Sequence, residues 1–263
     1  MNIVLFTLQD KTDNPLEYFL PQNDIRTKHI LTILHKKVGD TFTAGIENGR
    51  AGIATIINTG TTDTPGLLCE FSPVSDGNPL FPIEMIIGFP RPIQLKRMFR
   101  DLASLGISKI HLCGTEFGEK SYLDSKIVER GTAHTLLKEG TIQAKSTHVP
   151  ELYTYQSVQE CLEKLHLLPA LENFNSTNLR ITLDNINASS SLSTFLHTQN
   201  SYTNTSDCIF AAIGSERGWT DKERNLFEKA GFTRCSMGNR VLRTETAATV
   251  AATVILENIF NII

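Results

Sequence analysis

The sequence has no CxxC pair. Its five cysteines, Cys69, Cys113, Cys161, Cys208 and Cys235, are scattered along the chain. This argues against a zinc framework and for buried free thiols in a reducing cytoplasm. The seven histidines follow no metal-ligand spacing, so no metal is expected. Neither a Walker loop nor a Ser-His-Asp arrangement is present. No uncharged apolar run approaches the ~20 residues that cross a bilayer. The apolar tail VAATVILENIFNII is interrupted by Glu257 and Asn258. The first residues, MNIVLFTLQDKTD, carry no basic region before their apolar run, so no secretory signal is expected. An excess of positive charge is also missing. The net charge is −3, so any nucleic-acid surface must be a local patch.

What is present is a globular composition, 40% hydrophobic and 20% charged, in 263 residues, a length that suits two domains. The first part reads as β-rich. Strands are expected at 3–8 and 67–71, and a hairpin at 41–46 and 50–57 around the turn pair Asn48-Gly49. A helix is expected at 23–34 with Ile30, Ile33 and Leu34 on one side. This order suits a small barrel. Residues 72–82, with three prolines, read as a linker.

Beyond it the pattern changes. A strand at 83–88 and one at 107–113 flank an amphipathic helix at 94–105, whose apolar face is Leu95, Met98, Phe99 and Leu102. Strand, helix, strand at this spacing implies a parallel α/β sheet. Helices at 124–138 and 157–167 and a strand at 179–183 follow. Residues 185–207, rich in Ser, Thr and Asn, read as a surface segment around a short helix.

The most informative stretch is 208–247. An apolar strand at 208–213 runs into the turn Gly214-Ser215-Glu216-Arg217-Gly218. Thr220 and Glu223 have the spacing of a capping box. Leu226, Phe227 and Ala230 give that helix an apolar side, and Gly231 can end it. A second glycine turn, Met237-Gly238-Asn239, precedes a last helix at about 245–260. Two glycine loops therefore stand beside two helix starts, where backbone amides can hold a small polar ligand.

IGSERGWTDKE followed by MGNRVLRTETA resembles the RsmE family, methyltransferases of uridine N3 in small-subunit (16S) ribosomal RNA. Ile213, Gly214, Glu216, Gly218, Trp219, Thr220 and Glu223 match the first motif. Gly238, Arg240, Leu242, Arg243, Thr244, Glu245, Thr246 and Ala247 match the second, with Met237 for Leu. Ser215 stands for Pro and Arg217 for Gly. KHILTILHKKVGD resembles part of the family's PUA-like domain through His29, Leu34, Gly39 and Asp40. LGISKIHLCGTEF and EGTIQAKSTHVPEL carry looser likenesses, with Ser104 and Phe117 at positions where the family has Glu and Arg.

The resemblance implies an α/β fold: a PUA-like β-barrel domain at 1–74 and a SPOUT trefoil-knot domain with a parallel sheet at 75–263. It implies S-adenosylmethionine held at three strand ends by Leu183, Ile213, Gly214, Glu216, Gly218, Met237, Gly238, Val241 and Leu242. A side chain at Gly238 is then expected to fill the pocket. It also implies ribosomal RNA as partner and a homodimer, for which Val250, Val254, Ile255 and Ile259 offer apolar surface.

Arg240 and Arg243 read either as surface charges or as holders of a phosphate or the target base. In the motif the second reading is preferred, with Arg243 first. Glu245 either favours the last helix's N-terminus or has a direct role. Lys28, His29, His35, Lys36 and Lys37 form a basic cluster, a solvated helix end or a phosphate contact. Lys96, Arg97 and Arg100 lie opposite the apolar face of their helix, as a solvated face or part of an RNA groove. The alternative to an enzyme is a knotted RNA-binding protein with an altered target or lost activity, motivated by Ser215, Arg217, Ser104, Phe117 and the absence of the paired arginines usual near the family's N-terminus.

Overall fold

The computed structural model describes residues 2–60, 64–168, 178–199 and 208–262. The chain divides into two compact units. One is Met1–Pro79 with Glu139–Val149, and the other is Leu80–Lys138 with Pro150–Ile263.

In the first unit, β1 (Val4–Phe6), β2 (Glu17–Pro21), α1 (Ile25–Lys28), β3 (Thr41–Ile46), β4 (Ala51–Gly60) and β5 (Pro65–Ser75) follow in chain order. The five strands form one sheet in the order β1-β3-β4-β5-β2. All its pairings are antiparallel except β1 with β3. The sheet curls into a half-barrel whose edge strands meet through side chains. Phe6 of β1 stacks on Tyr18 of β2 at 4.6 Å between ring centroids, and Phe71 of β5 meets both edge-on. The expected hairpin is β3 and β4, with Asn48 at φ 55° in the left-handed conformation that asparagine tolerates. Asn48 also ties in the segment 139–149. Its amide donates to the Thr147 carbonyl, and its side-chain oxygen accepts from the Val149 amide, both at 2.8 Å.

Two expectations here change. The helix at 23–34 is regular only over Ile25–Lys28 and continues as a π-helical turn, His29–Ile33, closed by the Leu34 amide on the His29 carbonyl. The wider turn rotates side chains off the 3.6-residue stripe. Ile30 is buried, but Ile33 is 64% exposed. The linker at 72–82 is shorter than expected, because β5 runs to Ser75 and carries Pro73 opposite Gly52 at a register shift. Strand β2 was not foreseen. Its alternation is only two buried residues deep, Tyr18 and Leu20.

The second unit contains β6 (Phe81–Gly88), α2 (Pro92–Ser104), β7 (Ile107–Cys113), α3 (Arg130–Gln143, whose residues from Glu139 on belong to the first unit) and β8 (Glu151–Tyr155). Then come α4 (Val158–Lys164), β9 (Leu179–Leu183), β10 (Ser190–Ser191), α5 (Leu192–His197) and β11 (Ile209–Ile213). The chain ends with α6 (Asp221–Lys229), β12 (Thr233–Ser236) and α7 (Thr244–Ile255), the last extended by a π-helical turn to Phe260. Seven strands form a sheet in the order β10-β12-β9-β11-β6-β7-β8, and every pairing is parallel. The α/β class and the parallel sheet are as expected. β12 does not lie beside β11, which precedes it in the chain, but on the far side of β9.

Helix α2 opens with Pro92 in its first turn, where a missing amide donor is harmless. It buries Leu95, Met98, Phe99 and Leu102, as its spacing predicts. Helix α7 packs on α2, α5, β6 and β11 of its own unit. Ile255 and Leu256 are fully buried there, while Val250, Val254 and Ile259 are half-buried. A core of Ile86, Phe210, Ala212, Trp219, Phe227 and Phe232 lies on one sheet face under α4 and α6. Of the segment expected at 185–207, α5 is seen, and residues 200–207 lie outside the described residues.

Candidate functional site

Parallel pairing brings the carboxyl ends of the central strands to one edge. Ile213 of β11 pairs with Leu183 of β9 and Ile87 of β6, and Leu183 pairs with Cys235 of β12. Loops leaving this edge form the crevice where open α/β sheets bind ligands. A cavity of about 300 Å³ sits there. Leu183, Ile213, Met237, Leu242 and Ala247 give it aliphatic walls, and the loop 214–218 lines it.

That loop is tightly held. The Gly218 amide donates to the Ser215 carbonyl at 2.8 Å. A β carbon on Gly214 would come within 2.8 Å of Gly218 Cα, so the two strands of the turn touch backbone to backbone. Ser215 is buried and its Oγ accepts from Thr115 Oγ1 at 3.0 Å. Glu216 is exposed, but its Oε1 accepts from the Arg91 amide at the start of α2, at 2.8 Å. The capping box forms as its spacing predicts: the Glu223 amide donates to Thr220 Oγ1, and the Thr220 amide donates to Glu223 Oε2. The other Glu223 oxygen accepts from the Glu116 amide at 3.0 Å. A buried carboxylate with this many donors locks two loops and a helix start together.

The second glycine loop, 237–243, is open. Gly238 has φ +101°, and a β carbon there would meet nothing within 4 Å. The expectation that a side chain at Gly238 fills the pocket is therefore replaced. Gly238 does not line the cavity, and glycine is required by the backbone angle. Val241 is 87% exposed at the cavity's margin. Among the described residues neither the Arg240 nor the Arg243 side chain has a hydrogen bond or ion pair. Arg240 lines the cavity, whereas Arg243 is the exposed N-cap residue of α7 and does not. Buried Thr244 joins the two loops, its Oγ1 donating to the Gly214 carbonyl at 3.2 Å.

The structure thus brings together Leu183, Ile213, Gly214, Glu216, Gly218, Met237, Arg240, Val241 and Leu242 around one cavity, and leaves Gly238 and Arg243 just outside its lining. Sequence reasoning missed Asp184, Trp219 and Arg224 as lining residues. Asp184 and Arg224 form a nearly buried ion pair at 2.7 Å. Only the position of Asp184 directly after a predicted strand could have flagged it. Trp219 is buried, and its Nε1 has no hydrogen-bond partner among the described residues.

The basic residues outside the cavity lining fall in both units. Lys96 and Arg97 are exposed on α2 in the second unit, Arg97 beside Asp101 at 3.4 Å. Lys28, His29, His35, Lys36 and Lys37 belong to the first unit, on α1, its π-helical extension and the loop after it. Lys28, His35 and Lys37 are exposed, and His29 and Lys36 are half-buried. Among the described residues no group of His, Cys, Asp or Glu has the arrangement of a metal site.

The sequence model of a family described as an RNA methyltransferase domain matches residues 76–256. Ribosomal RNA small subunit methyltransferase E of Treponema pallidum is 41% identical to this chain over 260 residues, covering 98% of this chain and 91% of that protein. Ribosomal RNA small subunit methyltransferase E 1 of Borreliella burgdorferi is 32% identical over 255 residues, covering 97% of each. Among solved structures, the methyltransferase E of Neisseria gonorrhoeae bound to S-adenosyl methionine has the same fold. Its TM-score is 0.71 at 20% identity, over 97% of both chains.

Proposed function

The chain belongs to the family of ribosomal RNA small subunit methyltransferase E, and from that membership we propose that it methylates N3 of a uridine in small-subunit ribosomal RNA, with S-adenosylmethionine as methyl donor. The observation that carries the reading is the cavity between the two glycine loops, which fits such a cofactor. Its aliphatic walls suit an adenosine. Trp219, buried against Phe227 at 4.8 Å between ring centroids, backs the cavity from the core side. Leu183, Ile213, Met237, Val241 and Leu242 would pack on the cofactor, and the backbone of Gly214, Glu216 and Gly218 would hold its polar groups. When bound, the cofactor supplies an electrophilic methyl group that needs no metal.

The chain's own residues have three tasks. They must bind the RNA, draw the base out of its stack, and favour loss of the N3 proton. Arg243, exposed and unpaired beside the cavity, is assigned to the negative charge that develops on uracil O2 or O4. Arg240, within the lining, is second for that role or holds the nearest phosphate. Lys28, His29, His35, Lys36 and Lys37, and separately Lys96 and Arg97, supply phosphate contacts. The half-buried Val250, Val254 and Ile259 on the last helix are assigned to a homodimer contact. A cytoplasmic location accords with the substrate.

The test is single-turnover transfer of labelled methyl to small subunits from a strain lacking its own enzyme, with the product nucleotide identified. Methyl at uridine N3 is expected. Methyl on another atom would remove the position, and calorimetric absence of cofactor binding would remove the reading.

A further inference from the structure

The turn after β7 carries an exposed aromatic ring on a backbone that is fixed from several sides. Phe117 is 48% exposed. The residues around it are tied to neighbouring elements. The Gly118 amide donates to the Thr115 carbonyl at 3.0 Å, closing the turn. The Glu116 amide is held by Glu223, and the Glu116 carboxylate by Lys222 at 2.8 Å. Thr115 is bonded to Ser215 in the cavity-lining loop, and Gly88 lies so close that a β carbon there would come within 2.8 Å of the Thr115 methyl. Phe117 itself lines no part of the cavity.

We infer that Phe117 is a stacking platform for an unpaired base of the RNA substrate, placed beside the methyl-transfer site by its coupling to the loop 214–218. The inference rests on the proposed function. An exposed ring on a pinned turn loses little freedom when a flat partner covers it, and every base has a face that stacks on an aromatic side chain. The chain neighbours Glu116, Glu119 and Lys120 are charged and exposed. Phe117 is thus an isolated apolar site within a polar turn, which matches one base better than the contiguous apolar core of a subunit contact.

The experiment measures equilibrium binding of small-subunit ribosomal RNA, naked and as assembled subunits, together with methyl transfer and calorimetric cofactor affinity. Phe117→Ala is expected to weaken RNA binding about 5- to 150-fold, the range for loss of one stacked base, with cofactor affinity unchanged. Phe117→Trp should retain binding. Phe117→Leu, apolar but without a ring, should behave like Phe117→Ala. Equal binding by wild type and Phe117→Ala, or full rescue by Leu, overturns the inference. A change of oligomeric state in Phe117→Ala by light scattering, with RNA binding per chain unaltered, overturns it in favour of a subunit contact. Ring-dependent RNA binding without any methyl transfer by wild type would leave this inference standing and remove the proposed function. RNA binding by neither protein would remove both.

Discussion

The two glycine loops that flank the cavity are built in opposite ways. In the loop 214–218 the side chain of Ser215 is buried, and the adjoining Glu223 carboxylate gathers donors from Thr220 and from the turn after β7. In the loop 237–243 no side chain makes a hydrogen bond among the described residues, and two arginines extend into solvent. The first loop is fixed before any ligand arrives, so its amides need no reorganisation to hold one. The second keeps its cations uncommitted, available to an anionic partner. Thr244 is the point where the fixed loop steadies the open one.

The sharpest way to test this contrast is on the open side. Arg243→Ala is expected to slow methyl transfer ~100-fold or more, the scale for removing one charge-stabilising group, while calorimetric cofactor affinity stays within a few-fold. Arg243→Lys should restore only part, because an ammonium lacks the planar fork. Loss of cofactor binding with normal transfer at saturating cofactor would move Arg243 to the cofactor pocket.

On the fixed side, Glu223→Ala should lower stability by ~2 kcal/mol, since it strands the Glu116 and Thr220 amides beside a lost charged acceptor. Denaturant unfolding measures this, and cofactor affinity should fall with it. The glycines then separate the loops by mechanism. Gly214→Ala drives a β carbon into the Gly218 backbone and should cost about 1–3 kcal/mol as overpacking. Gly238→Ala meets open space and pays for its backbone angle alone, about 1–2 kcal/mol. Equal costs in thermal melts would erase the distinction.

The smallest effect is expected away from both loops. Burial alone would raise the pKa of Glu84, but hydrogen bonds from His111 and Lys109, with their charges, hold it below the ordinary carboxylate value. A lowered folded pKa adds stability above the unfolded value, near 4.5, and that part is lost as pH falls through the folded value. The stability gap between wild type and Glu84→Gln should therefore narrow below about pH 4.5. Ligand affinity at either loop should not follow it at neutral pH.

Much of this site is legible in the sequence. The capping box, both glycine turns and most of the lining residues follow from local spacing, because a short polar turn between an apolar strand and a capped helix has few conformations. What escaped was non-local or weakly patterned. Asp184 and Arg224 are 40 positions apart and meet only through the fold. Strand β8 is an edge strand with no buried residue. The π-helical turn at His29–Ile33 defeats a reading at 3.6 residues per turn.

The sequence by itself determined the central strands β6, β7, β9 and β11, the capped start of α6 and the two motif loops, since each depends on residues within a few positions of one another. Only the tertiary structure decided how they act together. Placing β12 beyond β9 brings the loops 214–218 and 237–243 to one edge of the sheet. The turn after β7 closes on the first of them through Thr115 and Glu116, contacts 100 and 107 residues apart in the chain. Such contacts form only once packing has already met the entropy of closing those long loops, so no local pattern can announce them.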